Sequence, residues 1–178
     1  RIQEQKRQLE TIKFLNNFRK IDSNFLCYFI GGPSGKSGDD YLVELEESVK
    51  EFNLESHVEF LGNLSQTKIK DIMNKSKLLI HTSQYETFGL VAIEANSMGV
   101  PILSINTGSL IEIIENNKNG YFAEDFMDNH ANNFVRDLLN DDDYFNNVMS
   151  QCIQKSEKYN WKATADSLLK TYQDVKLS

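Results

Sequence analysis

Proline and cysteine are scarce in this chain: two of each occur in 178 residues, beside a single tryptophan. With an ordinary apolar share, so little proline and no low-complexity stretch point to a soluble globular domain rather than a linker or fibrous chain. Cys27 falls in an apolar strand pattern and Cys152 in a helical one. Neither has a neighbour at metal-ligand spacing, so both read as reduced core residues of an intracellular protein. No apolar run approaches the ~20 residues needed to span a bilayer, and no signal peptide is visible. Positive charge is also short: the net charge of −7 argues against nucleic acid as the main partner, because a phosphate-backbone binder carries a basic face. An anionic ligand would therefore be held by local features. The chain opens with Arg1 rather than methionine and enters a helix pattern at once, which leads to the expectation of a fragment lacking upstream sequence.

What is present is alternation. Leu9, Ile12, Leu15 and Phe18 share one face of a first helix. Strands are expected at 25–30, 58–61, 78–81, 101–105 and 120–122. Helices are expected at 40–53, from a cap at Ser65 to about Lys75, at 90–98 and at 110–115. From about Met127 the pattern is helical to the end, with breaks near 141–143 and 160–161. Short buried strands alternating with longer helices imply βαβ units. The fold class that follows is α/β, a Rossmann-like doubly wound parallel sheet with helices on both faces, in one domain spanning 1–178.

The run Gly31-Gly32-Pro33-Ser34-Gly35-Lys36-Ser37 invites comparison with a phosphate-cradling P-loop. The pattern fails, because the glycine required five residues before Gly35 is Ile30, and Gly38-Asp39-Asp40 separates the loop from its helix periodicity. A glycine turn between strand and helix is the better reading.

Ligands of such folds sit at the carboxyl ends of the strands. There the richest segment is 78–114. A strand ends at His81, a polar loop carries Glu86, and Phe88-Gly89-Leu90 opens a helix with Glu94 one turn inside it. Free amides near Phe88, Gly89 and Leu90, with the helix dipole behind them, would hold phosphate. Glu94, expected on a mostly buried helix and leaning back toward its N-terminus, suits a ribose diol. His81 reads as a structural histidine and His57 and His130 as solvated ones. The Asp141–Asp143 pair reads as a helix cap.

Glu86 and Glu94 in ETFGLVAIE form an E-x7-E pattern. With ANSMGVP, NTGSLIEII, NGYF at 119–122 and the closing YNWKATA, the chain resembles, over nearly its whole length, the donor-binding C-terminal domain of retaining GT-B glycosyltransferases of family 4. The resemblance implies that Arg1 and Lys6 hold a donor diphosphate. It implies that Gly32, beside Gly31, faces the donor, and that Leu61 to Leu64, with Asn63 among them, lie beside the base. Glu86, the one catalytic assignment, would contact donor-sugar hydroxyls; Phe88, Gly89 and Leu90 would contact phosphates and Glu94 the ribose. Thr87 stands where the family usually has glycine and would narrow the sugar pocket.

By the same resemblance the chain is a glycosyltransferase donor domain for a nucleotide-diphosphate sugar, UDP-sugar favoured, of hexosyl or N-acetylhexosaminyl type. Transfer to a saccharide or lipid-linked acceptor would proceed with retention in polysaccharide synthesis, without metal or cofactor. The acceptor would bind a missing N-terminal domain, so the fragment alone should bind donor without turnover. The full enzyme is expected in the cytoplasm, at the inner face of the membrane through peripheral association. A nucleotide-sugar epimerase of the same architecture and a non-catalytic nucleotide-binding module are the alternatives. A phosphorylase would need a pyridoxal-phosphate lysine, which nothing marks. The missing first strand should leave an unpaired groove in the sheet.

Overall fold

The computed structural model of the protein describes residues 1–125 and 128–176. A 3-10 turn, Glu4–Lys6, leads through Arg7, whose φ is 52°, into α1, Gln8–Phe18. Helix α1 buries Ile12, Phe14, Leu15 and Phe18, with Leu9 partly buried beside them, so Phe14 widens the stripe expected from the sequence. Strand β1, Cys27–Ile30, precedes α2, Gly38–Glu51, whose Tyr41, Leu45 and Val49 repeat every four residues toward the core. Asp39 and Asp40 open that helix where its dipole favours acid. Strand β2, Val58–Gly62, is followed by α3, Gln66–Met73, and the Ser65 side chain accepts from the Lys68 amide as the cap.

Strand β3, Leu79–His81, leads to α4, Leu90–Ser97. Next come β4, Ile102–Ile105, α5, Leu110–Ile113, and β5, Gly120–Ala123. Helices α6, Asn129–Asn140, α7, Asp142–Ser156, and α8, Trp161–Lys176, complete the order. The helix start expected near Met127 lies outside the described residues. Asp141 caps α7 by accepting from the Tyr144 amide at 2.9 Å, the role expected of that acidic run. Helix α8 leaves Trp161, Leu168, Leu169 and Tyr172 exposed.

All strand pairs are parallel, but the ladder is divided. β1 pairs with β2, and separately β3 pairs with β4 and β4 with β5. The parallel α/β arrangement with helices on both faces expected from the sequence is present, its ladder falling into two sheets with no β1–β3 pairing among the described residues. One core nonetheless spans both. Phe29 and Val58 from the first sheet and Leu103 and Ala123 from the second share a cluster with α1, α2, α6 and α7. On the other face Ile102 packs with Ala92, Ala95, Leu110 and Ile113. Successive residues Ile102 and Leu103 serve opposite layers because strand side chains alternate.

The first six residues stitch the halves together at the carboxyl ends of the strands. The Ile2 amide donates to Gly32 O at 2.9 Å, and the Ser34 amide to Ile2 O at 3.1 Å. A few residues on, the Gln84 amide donates to Gln5 O at 3.1 Å, and Thr82 Oγ1 to Lys6 O at 2.7 Å. The ends of β1 and β3 are therefore held on one short segment, which carries Lys6.

Candidate functional site

Beyond β3 the chain makes a tight loop from Thr82 to Gly89 before α4. Gly89 adopts a φ of 75°, and a Cβ there would meet the Leu110 and Ile113 side chains at 2.9 and 3.0 Å, so glycine is required. The 106–109 loop after β4 closes on the same turn. The Ser109 amide donates to Glu86 O at 3.2 Å, and Thr107 Oγ1 donates to Gln84 O at 2.8 Å. At Gly108 a Cβ would collide with Glu86 O. Glu86 is thus fixed by its own backbone before its side chain is considered.

Its carboxylate is the centre of a small, densely bonded cluster. Oε2 lies 3.3 Å from Lys6 Nζ and 3.2 Å from His81 Nε2. Oε1 accepts from the Gly89 amide at 3.1 Å and the Phe88 amide at 3.4 Å. Burial alone would raise the pKa of Glu86. The Gly89 amide, Lys6, the Phe88 amide and His81 together outweigh it and bring the value down to about 2. An ionised carboxylate only accepts, so His81 presents Nε2–H to it. Burial pushes the His81 pKa down, against the pull of Glu86, which keeps the imidazole neutral. Its Nδ1 is buried and meets nothing beyond the residue's own backbone.

The structure brings several of the sequence-predicted residues together. Lys6 reaches Glu86 from across the chain, and Gly32 donates to Asn63 Oδ1 at 2.8 Å. The Gly31 amide donates to Gly62 O at 2.8 Å, so the turn after β1 is bonded to the 62–63 turn that follows Leu61. Arg1 and Thr87 are exposed, and Arg1 enters the recorded network through its carbonyl, which accepts from Gln8 Nε2 at 2.8 Å.

Three expectations are corrected, those for the Phe88 and Gly89 amides, for Glu94 and for His57. The amides of Phe88 and Gly89 are not free for a phosphate, because Glu86 has folded back to cap them. Helix geometry leaves the Leu90 and Val91 amides, in the first turn of α4, without an intrahelical acceptor, so of the three amides expected to be free Leu90 stays open. Glu94 is exposed rather than buried; α4 turns Ala92 and Ala95 into the core instead. His81, expected as a structural histidine, is buried at the strand end and hydrogen-bonded to Glu86. Its signal was a lone polar side chain closing an apolar strand, five residues before a glutamate. His57, read as solvated, stacks on the Phe25 ring with centroids 4.8 Å apart.

Among the described residues no three His, Cys, Asp or Glu side chains are grouped to hold a metal ion, and no helix is long and apolar enough to cross a membrane. A groove of about 320 Å³ lies between Arg7 and Glu10 and the ends of β4 and β5 at Asn106 and Glu124.

Known proteins resemble this arrangement over nearly the whole chain. D-inositol 3-phosphate glycosyltransferase of Rhodococcus jostii is 28% identical over 157 residues, covering 87% of this chain and 34% of that protein. Alpha-1,3/1,6-mannosyltransferase ALG2 of Dictyostelium discoideum is 29% identical over 121 residues, covering 67% and 29%. The chain therefore spans about a third of the length of these curated relatives. Among solved structures, Anabaena Alr3699/HepE in complex with UDP superposes with a TM-score of 0.85 at 22% identity, over 98% of this chain and 47% of that one. The C-terminal domain of LpcC, a glycosyl transferase group 1 protein of Francisella tularensis, superposes with a TM-score of 0.78 at 23% identity, over 90% and 83%. These likenesses establish a GT-B glycosyltransferase fold. The family profile of glycosyl transferases group 1 matches residues 1–159, and the chain belongs to that family.

Proposed function

We propose that residues 1–178 form the donor-binding domain of a two-domain, retaining glycosyltransferase of the family 4 type, acting on a nucleotide-diphosphate sugar. The observation that carries the reading is the cluster at the carboxyl end of β3. A lysine, two uncapped helix amides and a pre-ionised carboxylate converge there, beside a glycine turn that would admit a nucleotide. UDP is the favoured nucleoside diphosphate; support comes from relatives of this fold solved with UDP and with UDP-glucose.

In this reading Lys6 and the Leu90 and Val91 amides neutralise the diphosphate as it leaves, with the α4 dipole behind them. Glu86 accepts from hydroxyls of the transferred hexose or N-acetylhexosamine, and Glu94, in solvent at the mouth, accepts from the ribose diol. The acceptor hydroxyl attacks the anomeric carbon on the face from which the diphosphate departs. Its proton passes to the departing phosphate oxygen, so the C–O bond formed has the configuration of the bond broken. No protein nucleophile and no metal is invoked. The acceptor, a saccharide or glycolipid, is held by a second domain, and the enzyme works in the cytoplasm at the inner membrane face. Without acceptor positioning, worth ~7–11 kcal/mol of barrier, the 178-residue chain binds donor and turns over none.

Titration of UDP, GDP and ADP and their sugar conjugates into the chain, followed by heteronuclear NMR, tests this. Shifts are expected at Gly32, Asn63, Lys6, Leu90 and Val91. Saturable shifts confined to other residues, or none with any nucleotide, would overturn the reading.

A further inference from the structure

Resting on that reading, we infer that His81 is a positioning residue for donor-sugar recognition, which acts by holding Glu86 in place while Lys6 changes partner. A carboxylate offers about four lone-pair sites. In this structure four donors take them: Lys6 and His81 on Oε2, and the Gly89 and Phe88 amides on Oε1. Glu86 cannot accept from a sugar hydroxyl until one of the four withdraws.

The geometry decides which. The two amides belong to the backbone of the loop that closes on Gly108 and Ser109. His81 sits in the ladder opposite Ser104, and its side chain is 6% exposed. Lys6 is 35% exposed, carries its charge on a flexible stem, and has three donors for a diphosphate. Arrival of phosphate draws the ammonium off Oε2 and leaves that lone pair to the sugar. At that moment Glu86 loses its one cationic partner. Among the described residues His81 is then the one side chain still gripping Oε2.

The ring's other nitrogen argues against a mere filler of the core. Nδ1 is buried with no partner beyond the residue's own backbone, a cost that an apolar side chain of similar size would not carry. What the imidazole supplies against that cost is Nε2–H, aimed at Glu86. Being neutral, it also leaves the charge balance of the mouth unchanged when Lys6 turns away.

The test is calorimetric titration of the full-length protein with UDP, GDP and ADP and with their glucose conjugates, in the wild type, His81→Leu and His81→Gln. For the nucleotide that the wild type binds, His81→Leu is expected to weaken the sugar conjugate about tenfold, the order of one hydrogen bond to a charged group. The bare diphosphate should change by less than about threefold. His81→Gln, whose amide N–H reaches the same place, should restore most of the difference. Equal weakening of both ligands, as a general loss of structure would give, overturns the inference, and so does no change in either. Wild-type protein that binds none of the nucleotides overturns the donor reading itself, and this inference with it. Should His81→Leu fail to fold, nitrogen NMR of the wild-type imidazole decides. Nε2–H must persist in both the free and the sugar-nucleotide-bound protein, and an Nδ1–H tautomer in either overturns the proposal.

Discussion

Two glutamates, at opposite ends of the same sheet, are gripped by lysine and held near a pKa of about 2. Glu86 follows the carboxyl end of β3. Glu115 lies in the turn before β5, at the amino end, beside a groove of about 220 Å³ lined by Lys118, Gln151, Gln154, Lys155 and Lys158. Glu115 is 43% exposed, and its partners, Lys155 at 2.7 Å and Lys118 at 2.9 Å, are both side chains. Glu86 is 14% exposed and is held by two backbone amides and a buried imidazole as well as by Lys6. The same depressed pKa therefore arises from a part-buried carboxylate held partly by backbone amides in one place, and from lysine side chains around a more exposed carboxylate in the other. Titration behaviour alone does not mark function; what separates the two is whether the donors stay where they are when the partner changes.

The comparison would be broken most decisively at the lysines. Lys6→Met removes the one cation that meets Glu86 among the described residues and, in the proposed donor site, a charge on the leaving diphosphate. Transfer by the full-length enzyme should fall by about 10²-fold or more, the order found when a preorganised charge-stabilising donor is removed. Lys155→Met at the other end should leave turnover within about twofold. Steady-state kinetics with a labelled nucleotide sugar measures both, and comparable losses would mean that the two clusters are not different in kind.

Glu94→Ala is the next largest effect expected. Loss of a charge-assisted hydrogen bond to the ribose should weaken nucleotide binding by about 1–3 kcal/mol. Because Glu94 is exposed, the melting temperature should hardly move. Unchanged affinity would remove Glu94 from the site, leaving recognition to the Lys6–Glu86 cluster and the glycine turn.

How far the sequence carried the argument is visible at these residues. The order of strands and helices followed from apolar periodicity and turn chemistry, which are local. The E-x7-E spacing likewise placed Glu86 and Glu94 on a loop and on the helix after it. Direction and contact were not local. Val91, Ala92, Ile93 and Ala95 made α4 look buried all round, whereas one side of that short helix faces solvent and carries Glu94 outward. Glu86 capping its own helix, and Lys6 crossing from residue 6 to meet it, depend on the fold of the first six residues over both half-sheets. The split of the sheet was invisible to periodicity, because strand patterns do not report which edges pair.

Acid unfolding sharpens the comparison with a smaller signal. Both folded pKa values lie below the ordinary value of 4.5. Each group therefore stabilises the fold above that value and loses its contribution as pH falls from about 4.5 toward about 2. Denaturation curves measured across that window should lose part of their slope in Glu86→Gln, at low salt and at ~1 M salt alike. The slope lost in Glu115→Gln should be present at low salt and largely gone at ~1 M, where the Debye length is ~3 Å. Identical salt responses would show that Glu86 is no better shielded than Glu115.

The smallest effect is expected from Glu115→Gln at neutral pH. Two lysines at short distance suggest a strong interaction, but Glu115 and Lys118 are 43% and 63% exposed, so water and salt screen the attraction and each long side chain loses freedom in making it. Lys155, at 15% exposure, is the one partner whose desolvation matters. Its aliphatic stem stays packed whether or not the acid is charged, and the glutamine oxygen can still accept from it. Stability should change by about 0.5 kcal/mol or less, and nucleotide affinity by less than twofold, since this turn lies at the far end of β5 from the strand ends that carry Lys6 and Glu86. Urea denaturation and nucleotide titration of the same variant measure the two quantities together. A tenfold loss of affinity would show that the ends of the sheet are coupled and that the Glu115 cluster belongs to the working site.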